Sequence, residues 1–186
     1  MKGRRVCLGV TGCIAAYKAA EIASSLVQAK AEVVVVMTES ATRLVGPVTF
    51  EALTGRPVYV DMWRTQAPTS MQHIAVADWA EVVLVAPATA NILGKAASGI
   101  ADDLLSTILI TVDVPVMFAP AMNDRMWKNP IVQGNVARLR QVGYHFINPE
   151  EGFLACGTIG MGRLADPQRI VSALAELLEA TPRKNG

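Results

Sequence analysis

The chain has 186 residues, of which 52% are hydrophobic and 18% charged, so it can bury a core of its own and general disorder is excluded. The formal net charge is +1, and the basic residues form only short pairs such as Arg4-Arg5 and Arg183-Lys184, which excludes the charge pattern of a nucleic-acid-binding protein. No uncharged apolar stretch reaches about 18 residues, so a membrane-spanning helix is not expected.

Strand and helix patterns alternate along the chain. The predicted strands are Arg4–Val10, Glu32–Met37, Val58–Val60, Val82–Ala86, Val114–Ala119 and Tyr144–Ile147. The predicted helices are Ile14–Ala29, one that begins at Thr38–Ser40, Asn91–Ala97, Asp103–Thr111, Pro130–Val142 and Pro167–Glu179. Such alternation predicts an α/β domain with a parallel sheet and helices on both faces. No linker interrupts the pattern, so residues 1–180 are expected to form a single domain, followed by a loose tail at 181–186.

Four loops follow predicted strands and carry polar residues. They are Thr11–Ala15, Thr38–Ser40, Pro87–Asn91 and Pro120–Asn123. Because the carboxyl ends of parallel strands share one edge of the sheet, these loops are expected to form a single ligand site there.

The segment Gly12–Lys18 (GCIAAYK) joins the first strand to the first helix. Backbone N–H groups at such a position suit a phosphate, and the absence of a G-x-G-x-x-G pattern favours a mononucleotide over a dinucleotide. The alternative is a plain turn whose glycine relieves backbone strain. Hydroxyls of Thr38, Ser40 and Thr89 would reach the same ligand, although each residue would equally serve as a helix cap.

Paired aspartates, Asp102 and Asp103, precede the predicted helix 103–111. Aspartates at this position stabilise the helix dipole, and we favour this interpretation over acid–base chemistry. Ser106 and Thr107 follow one turn later, where polar groups would meet a ligand phosphate.

Three residues are candidates for chemistry. Asn123 follows Pro120 in a turn and would present its amide to a carboxylate, the alternative being an ordinary turn asparagine. His73 is a candidate because histidine is a common acid–base residue, but a single histidine is more often structural. Cys156 lies in the segment 152–163 (GFLACGTIGMGR), which is too glycine-rich for a helix or strand; it predicts a mobile flap over a site or a loop against a neighbouring subunit.

The other cysteines are Cys7 and Cys13. The odd total and the absence of a C-x-x-C pair exclude a metal site and favour reduced thiols in the cytoplasm.

Taken together, six segments resemble the homo-oligomeric flavin-containing cysteine decarboxylases over residues 4–167. They are TGCIAAYK, His73-Ile74, APATAN, GIADDLL, PAMNxxMW and LACGTIGMGRLADP. The last two are the most specific, and they are similar to the segments of bacterial phosphopantothenoylcysteine decarboxylases. The resemblance implies a doubly wound, Rossmann-like sheet of six parallel strands, bound FMN, and a trimer or an assembly of trimers with active sites between subunits.

The resemblance also implies residue roles. FMN would contact Gly12, Cys13, Ile14, Thr38, Ser40, Pro87, Thr89, Ser106 and Thr107. The substrate would contact Asn123, Met126, Ala155 and Cys156. The family often has Ser or Thr where this chain has Cys13, which removes one hydroxyl donor and leaves the backbone contacts.

The implied reaction converts 4'-phosphopantothenoylcysteine to 4'-phosphopantetheine for coenzyme A synthesis. The thiol is oxidised to a thioaldehyde, CO2 leaves, and the resulting enethiol is reduced again, with FMN carrying the electrons. Asn123 would hold the carboxylate, His73 would assist the oxidative decarboxylation, and Cys156 would protonate the enethiol.

Three alternative functions remain for this chain, and a second domain is a separate possibility. A peptidyl-cysteine decarboxylase would act on a C-terminal cysteine, a flavin prenyltransferase would share only the fold, and a non-catalytic regulatory relative would lack part of the catalytic set. Many bacterial relatives carry a phosphopantothenate–cysteine ligase domain, so such a domain or protein is an expected partner.

Overall fold

The computed structural model describes residues 1–63 and 71–183. The main sheet contains β1 (Arg5–Val10), β2 (Glu32–Met37), β3 (Val58–Tyr59), β4 (Val82–Ala88), β5 (Val116–Pro120) and β6 (His145–Phe146). The helices are α1 (Ala16–Gln28), α2 (Glu39–Thr42), α3 (Pro47–Thr54), α4 (Gln72–Trp79), α5 (Ala90–Ser98), α6 (Leu104–Thr111), α7 (Asp124–Trp127), α8 (Pro130–Gln141) and α9 (Pro167–Ala180).

The strand order is β3-β2-β1-β4-β5-β6, and neighbouring strands are parallel. This is the doubly wound order, so the predicted six-stranded Rossmann-like fold is confirmed. The order reverses between β1 and β4, where Leu8 is in register with Leu84. In sheets of this kind, ligands bind outside the carboxyl ends of the strands at the reversal point. The loops after β1 and β4 are therefore the expected place for a ligand.

Both faces of the sheet are covered, because successive side chains of a strand point to opposite faces. Val6, Leu8 and Val10 of β1 pack into a core with α1, α3 and α9. Cys7 points to the other face and packs into a core with α4, α5, α6 and α8. Complete burial raises the pKa of the Cys7 thiol to about 12, so Cys7 is an inert core residue.

Between β2 and β4, helix α2 begins where the sequence predicted, whereas the short helices α3 and α4 were not predicted. Helix α3 begins at Pro47 and ends at Thr54, and Gly55, with a φ of 65°, caps it in the left-handed conformation. Helix α4 carries His73, and it has little amphipathic pattern because only part of one face is buried. Residues 64–70, just before α4, lie outside the described part of the chain.

The glycine-rich segment around Cys156 forms strands, contrary to the expectation from its composition. An antiparallel hairpin pairs β7 (Glu150–Phe153) with β8 (Ile159–Arg163). The glycines of β8 are accommodated because the hairpin packs closely against the loop after β5. A Cβ on Gly162 would lie 2.1 Å from the carbonyl oxygen of Met122, so only glycine allows this approach.

The end of the chain follows α9. Arg4 donates a 2.8 Å hydrogen bond to the carbonyl of Leu178 and weaker ones to Thr181, so the last turn of α9 is joined to the start of β1. Within the described residues no helix is long and apolar enough to cross a membrane. Residues 184–186 of the predicted tail lie outside the described part of the chain.

Candidate active site at the carboxyl edge of the sheet

The loops after β1 and β4 are joined by Thr11, a residue that the sequence did not single out. The buried Thr11 hydroxyl donates a 2.7 Å hydrogen bond to the carbonyl of Pro87 and accepts a 3.1 Å bond from the backbone N–H of Thr89. These bonds fix the two loops relative to each other at the reversal point of the sheet. Two neighbouring clefts open there, one on each side of the Gly12–Cys13 peptide.

The first, here called the polar cleft, has a volume of about 520 Å³. It is lined by Thr11, Gly12, Thr38, Glu39, Ser40, Thr89, Ala90, Asn91, Ile92, Lys95, Asp103 and Met126. A Cβ on Gly12 would lie 2.5 Å from the Cβ of Ser40, so glycine at this position lets the loops after β1 and β2 approach closely in the wall of the cleft. Three of the predicted hydroxyl residues, Thr38, Ser40 and Thr89, therefore meet on its wall.

Two of these hydroxyls also cap helices. Thr38 accepts a hydrogen bond from the N–H of Ala41 at the start of α2, and Thr89 accepts one from the N–H of Ile92 at the start of α5. A hydroxyl that accepts in this way keeps its own proton available for donation. Capping and ligand binding, which the sequence left as alternatives, are thus compatible at both residues.

An ion-pair cluster forms another part of the polar cleft. Nζ of Lys95 lies 2.6 Å from a carboxylate oxygen of Asp102 and 2.7 Å from one of Asp103. Partial burial alone lowers the pKa of Lys95, but the bonds to the two carboxylates outweigh it and raise that pKa above its ordinary value. Burial alone raises the pKa of Asp103, but Lys95 and Ser106 hold it below its ordinary value. The cluster holds one positive and two negative charges, and its bonds join α5 to the start of α6 beside the cleft.

Ser106 and Thr107 lie in the first turn of α6, outside the lining of both clefts. Ser106 is fully buried and forms a capping box with Asp103, in which each side chain bonds the other's backbone N–H at 2.8 and 3.1 Å. The Thr107 hydroxyl donates a 2.8 Å bond to the Asp103 carbonyl. The aspartate at this helix start therefore acts as the cap that the sequence predicted.

The second cleft, here called the apolar cleft, has a volume of about 450 Å³. Its lining contains Cys13, Ile14, Ala15, Tyr17, Lys18, Ala121, Met122, Asn123, Phe153, Leu154, Ala155, Cys156, Gly162, Arg163 and Leu164. The loop after β5 and the tip of the hairpin meet on one wall, and the start of α1 forms a second wall. A mostly apolar cavity with a few convergent polar groups is typical of small-molecule sites.

Asn123 and Cys156 are in contact on that wall. The Asn123 side-chain amide donates a 3.2 Å hydrogen bond to Sγ of Cys156. The amide oxygen of Asn123 accepts a 2.9 Å bond from the N–H of Arg125 at the start of α7, which fixes which end of the amide faces the sulfur. Two residues 33 positions apart are thus assembled into one polar pair.

Thr158 is a further neighbour of Cys156 that the sequence did not identify. Its hydroxyl lies 3.1 Å from Sγ of Cys156 across the hairpin tip. Hydrogen bonds from the Thr158 side chain and backbone, followed by the bond from Asn123, hold the pKa of Cys156 below its ordinary value. Burial instead raises the pKa of Cys13, which lines the same cleft, so Cys156 is the more reactive of these two thiols.

The hairpin is attached to the loop that carries Asn123. The N–H of Met122 donates a 2.9 Å bond to the carbonyl of Gly162, and a Cβ on Gly160 would lie 2.9 Å from the Cβ of Asp124. These contacts hold β8 against the residues on both sides of Asn123. The position of Cys156 relative to Asn123 therefore depends on how β8 packs.

The remaining predicted residues occupy different places. Ile14 and Ala155 line the apolar cleft and are exposed, Met126 lines the polar cleft, and Pro87 is buried with its carbonyl bound to Thr11. His73 is half-buried on α4, a helix that packs against α6, and it lines neither cleft. The structure therefore brings Asn123 and Cys156 together within one chain and leaves His73 apart from them.

A family model described as Flavoprotein matches residues 1–179, nearly the whole chain. The chain belongs to the flavoprotein family. The resemblance stated from the segments around Gly12, Asn123 and Cys156 is thereby confirmed at the level of the family.

Curated members of the flavoprotein family are similar over almost all of this chain. The coenzyme A biosynthesis bifunctional protein CoaBC of Bacillus subtilis is 53% identical over 176 residues, which cover 95% of this chain and 43% of that protein. A probable phosphopantothenoylcysteine decarboxylase of Streptococcus mutans is 40% identical over 177 residues, 94% of this chain and 99% of that protein. The chain thus spans less than half of the bifunctional relative and nearly all of the shorter one.

Solved structures of related proteins have the same fold. A cysteine-to-serine mutant of a PPC decarboxylase, complexed with pantothenoylaminoethenethiol, superposes with a TM-score of 0.86 at 31% identity and covers 96% of this chain and 100% of its own. The FMN-dependent cysteine decarboxylase SpaF superposes with a TM-score of 0.84 at 36% identity, with 95% and 96% covered.

The residues present fit the phosphate of a flavin mononucleotide. The polar cleft offers the hydroxyls of Thr38, Ser40 and Thr89, and Gly12 lets the loops after β1 and β2 approach closely there. The adjoining apolar cleft offers a mostly hydrocarbon surface, which suits a flat aromatic ring.

Proposed function

We propose that this protein catalyses the FMN-dependent decarboxylation of 4'-phosphopantothenoylcysteine to 4'-phosphopantetheine, a step of coenzyme A biosynthesis. The observation that carries the proposal is the hydrogen-bonded pair Asn123–Cys156 in an apolar cleft that adjoins a polar cleft suited to a phosphate. This pair supplies an amide for a carboxylate and a thiol for a proton, the two groups that the reaction requires.

FMN would lie across the two clefts. Its phosphate would be held by Gly12, Thr38, Ser40 and Thr89, and its ring would lie against Cys13 and Ile14. Bound FMN would supply the hydride acceptor and donor that the redox-neutral reaction needs. Pro87 would support this site through its carbonyl bond to Thr11, and Ser106 and Thr107 would support it through the cap of α6.

The residues of the apolar cleft would place the substrate and move one proton. The Asn123 amide N–H would bind the substrate carboxylate until CO2 leaves, and Met126 and Ala155 would border the substrate. The Cys156 thiol would then donate its proton to a carbon of the enethiol. Asn123 already contacts Sγ of Cys156, so carboxylate binding and protonation would occur on the same wall.

The relatives support this choice of substrate over a peptide. The Streptococcus mutans relative, matched along 99% of its length, is described as a probable phosphopantothenoylcysteine decarboxylase, and a similar structure contains pantothenoylaminoethenethiol. The second candidate, decarboxylation of a peptide with a C-terminal cysteine, is consistent with the likeness to the cysteine decarboxylase SpaF. Neither flavin prenyl transfer nor a purely regulatory role accounts for the assembled Asn123–Cys156 pair.

The active site would be completed by a second copy of the chain in a trimer-based assembly. His73 lines neither cleft of its own chain, so it would act on a neighbouring subunit. Ile14 and Tyr17 are each 62% exposed, and Phe153 and Ile159 on the hairpin are 70% and 74% exposed. A neighbouring subunit would cover these apolar side chains, which otherwise face water around the site.

The cellular setting follows from the chemistry. Residues 1–180 would act as a single decarboxylase domain, and a phosphopantothenate–cysteine ligase domain or protein would supply the substrate, in keeping with the bifunctional relatives. The Cys156 thiol is exposed and must stay reduced to donate a proton. It would stay reduced in the cytoplasm.

Mass spectrometry of the FMN-loaded protein incubated with each candidate substrate tests the proposal. The expected result is loss of CO2 from 4'-phosphopantothenoylcysteine with formation of 4'-phosphopantetheine. A peptide ending in cysteine should remain intact under the same conditions. Reaction of the peptide alone would establish the second candidate instead.

A further inference from the structure

The apolar cleft contains basic side chains that the reaction described above does not use. Lys18, in the first turn of α1, and Arg163, at the end of β8, both contribute to its lining. No acidic residue belongs to the described lining of this cleft. A cavity with cations and no anions of its own selects an anionic ligand.

The two cations differ in how they are already paired. Arg163 lies 3.2 Å from Glu150, which also accepts a 3.1 Å bond from Arg169, so the charge of Arg163 is engaged in an ion-pair cluster. Lys18 has no ion pair or side-chain hydrogen bond with any described residue, although it is half-buried. Lys18 is therefore the cation that a ligand would neutralise.

The position of Lys18 relative to Asn123 indicates which anion this would be. Asn123 and Cys156 lie on the wall built by the loop after β5 and the hairpin, whereas Lys18 belongs to α1, a separate element that forms a second wall of the same cleft. A ligand with a single carboxylate at Asn123 would leave Lys18 unmatched. A ligand with an anion at each end of an extended chain would satisfy both walls.

We propose that Lys18 binds the phosphate of the substrate and makes the site selective for phosphorylated over unphosphorylated pantothenoylcysteine. This inference rests on the proposed function and adds the residue that recognises the phosphate. Lysine is a usual partner of phosphate groups, and the N-terminal end of α1 adds the favourable helix dipole. The same interaction would disfavour a peptide that carries only a C-terminal carboxylate.

Lys18→Gln tests the proposal through the ratio of two KM values, one for the phosphorylated and one for the unphosphorylated substrate. This ratio is compared with that of the wild type. A charge-assisted hydrogen bond typically changes affinity by about 10- to 100-fold. We expect the KM for 4'-phosphopantothenoylcysteine to rise by about that factor, with little change in KM for pantothenoylcysteine and in kcat for either substrate. Lys18→Arg should restore most of the selectivity, because the charge is kept.

Direct binding gives a readout that does not depend on turnover. Calorimetry with the products should show weaker binding of 4'-phosphopantetheine to Lys18→Gln and unchanged binding of pantetheine. Lys2→Gln is the matched control, because Lys2 is exposed and precedes β1 at the opposite edge of the sheet. The FMN content of all variants should be equal.

The outcomes separate this inference from the proposed function. An unchanged preference for the phosphorylated compounds in Lys18→Gln, or loss of that preference in Arg163→Gln alone, overturns the role of Lys18 and leaves the decarboxylase intact. Loss of FMN from Lys18→Gln would assign Lys18 to the cofactor and also overturn it. A wild type that processes neither substrate and binds neither product overturns both proposals.

Discussion

The thiol of Cys156 is tuned by the residues around it. Thr158 lies 3.1 Å from Sγ and is the main cause of the lowered pKa of Cys156. A proton donor must be protonated to act, so the reaction should slow as the pH rises through this pKa. In the proposed reaction, this contact would therefore set the alkaline limit of activity.

Thr158→Val removes the hydroxyl and should raise the pKa of Cys156 towards its ordinary value. The alkaline limb of the pH–rate profile should then move to higher pH, and alkylation of Cys156 at neutral pH should become slower because less thiolate is present. Thr181→Val, which removes a hydroxyl at the end of α9, should change neither quantity. A profile and a labelling rate that stay the same in Thr158→Val would contradict this account of the thiol.

At the scale of single residues, the sequence identified residues that lie in specific segments or directly before helices. Asn123 and Cys156 were identified because their segments are specific, and the caps Thr38, Thr89 and Asp103 were predicted from their positions before helices. Thr11 and Thr158 were not predicted. Thr11 bonds Pro87, which is 76 positions further along the chain, and Thr158 contacts Cys156, which is 2 positions away. Both contacts arise only once the backbone is folded.

The hairpin β7–β8 positions Cys156 through its contact with the loop after β5. Gly162 packs against the backbone of Met122 and accepts its N–H. Because the two segments touch through their backbones, a side chain at Gly162 cannot be accommodated by a rotamer change.

Gly162→Ala should therefore move the hairpin and separate Cys156 from Asn123. We expect a loss of stability of about 1–3 kcal/mol in denaturant unfolding and a fall in kcat on the order of 10²-fold, since small displacements of reacting groups are costly. The control is Gly134→Ala within α8, where an added Cβ has open space and should stabilise the protein by about 0.5–1 kcal/mol. Full activity of Gly162→Ala would show that the hairpin contact does not position Cys156.

At the scale of elements, the strands and long helices were predictable and the hairpin was not. Buried parallel strands such as β2 are continuous runs of apolar residues, and α9 has a strong apolar face. The segment around Cys156 has no such pattern, because its glycines serve close backbone packing with another loop. Composition alone therefore favoured an irregular flap.

Under the proposed function, one copy of the molecule alone would not hold a complete active site. His73 is on α4, whereas Asn123 and Cys156 lie at the apolar cleft, whose rim carries exposed apolar side chains. The sequence predicted the fold and the edge of the sheet that the loops share. In the proposed assembly, His73 would reach this cleft only through a neighbouring copy.

A trimer-based assembly with shared active sites makes a specific prediction. Light scattering of the FMN-loaded protein should give the mass of a trimer or a multiple of it. His73→Ala and Asn123→Ala should each be inactive, while assemblies that contain both variants should recover part of the activity, because some sites then receive intact residues from each copy. A monomer, or mixed assemblies without any recovery, would contradict the arrangement.

The most direct test of the central claim is the identity of the products formed from 4'-phosphopantothenoylcysteine by the wild type and by Cys156→Ser. Mass spectrometry should show 4'-phosphopantetheine from the wild type. It should show the decarboxylated but still oxidised enethiol from Cys156→Ser, because that variant lacks the acid that completes the reduction. Ordinary 4'-phosphopantetheine from Cys156→Ser, or an unchanged substrate with the wild type, would contradict the account.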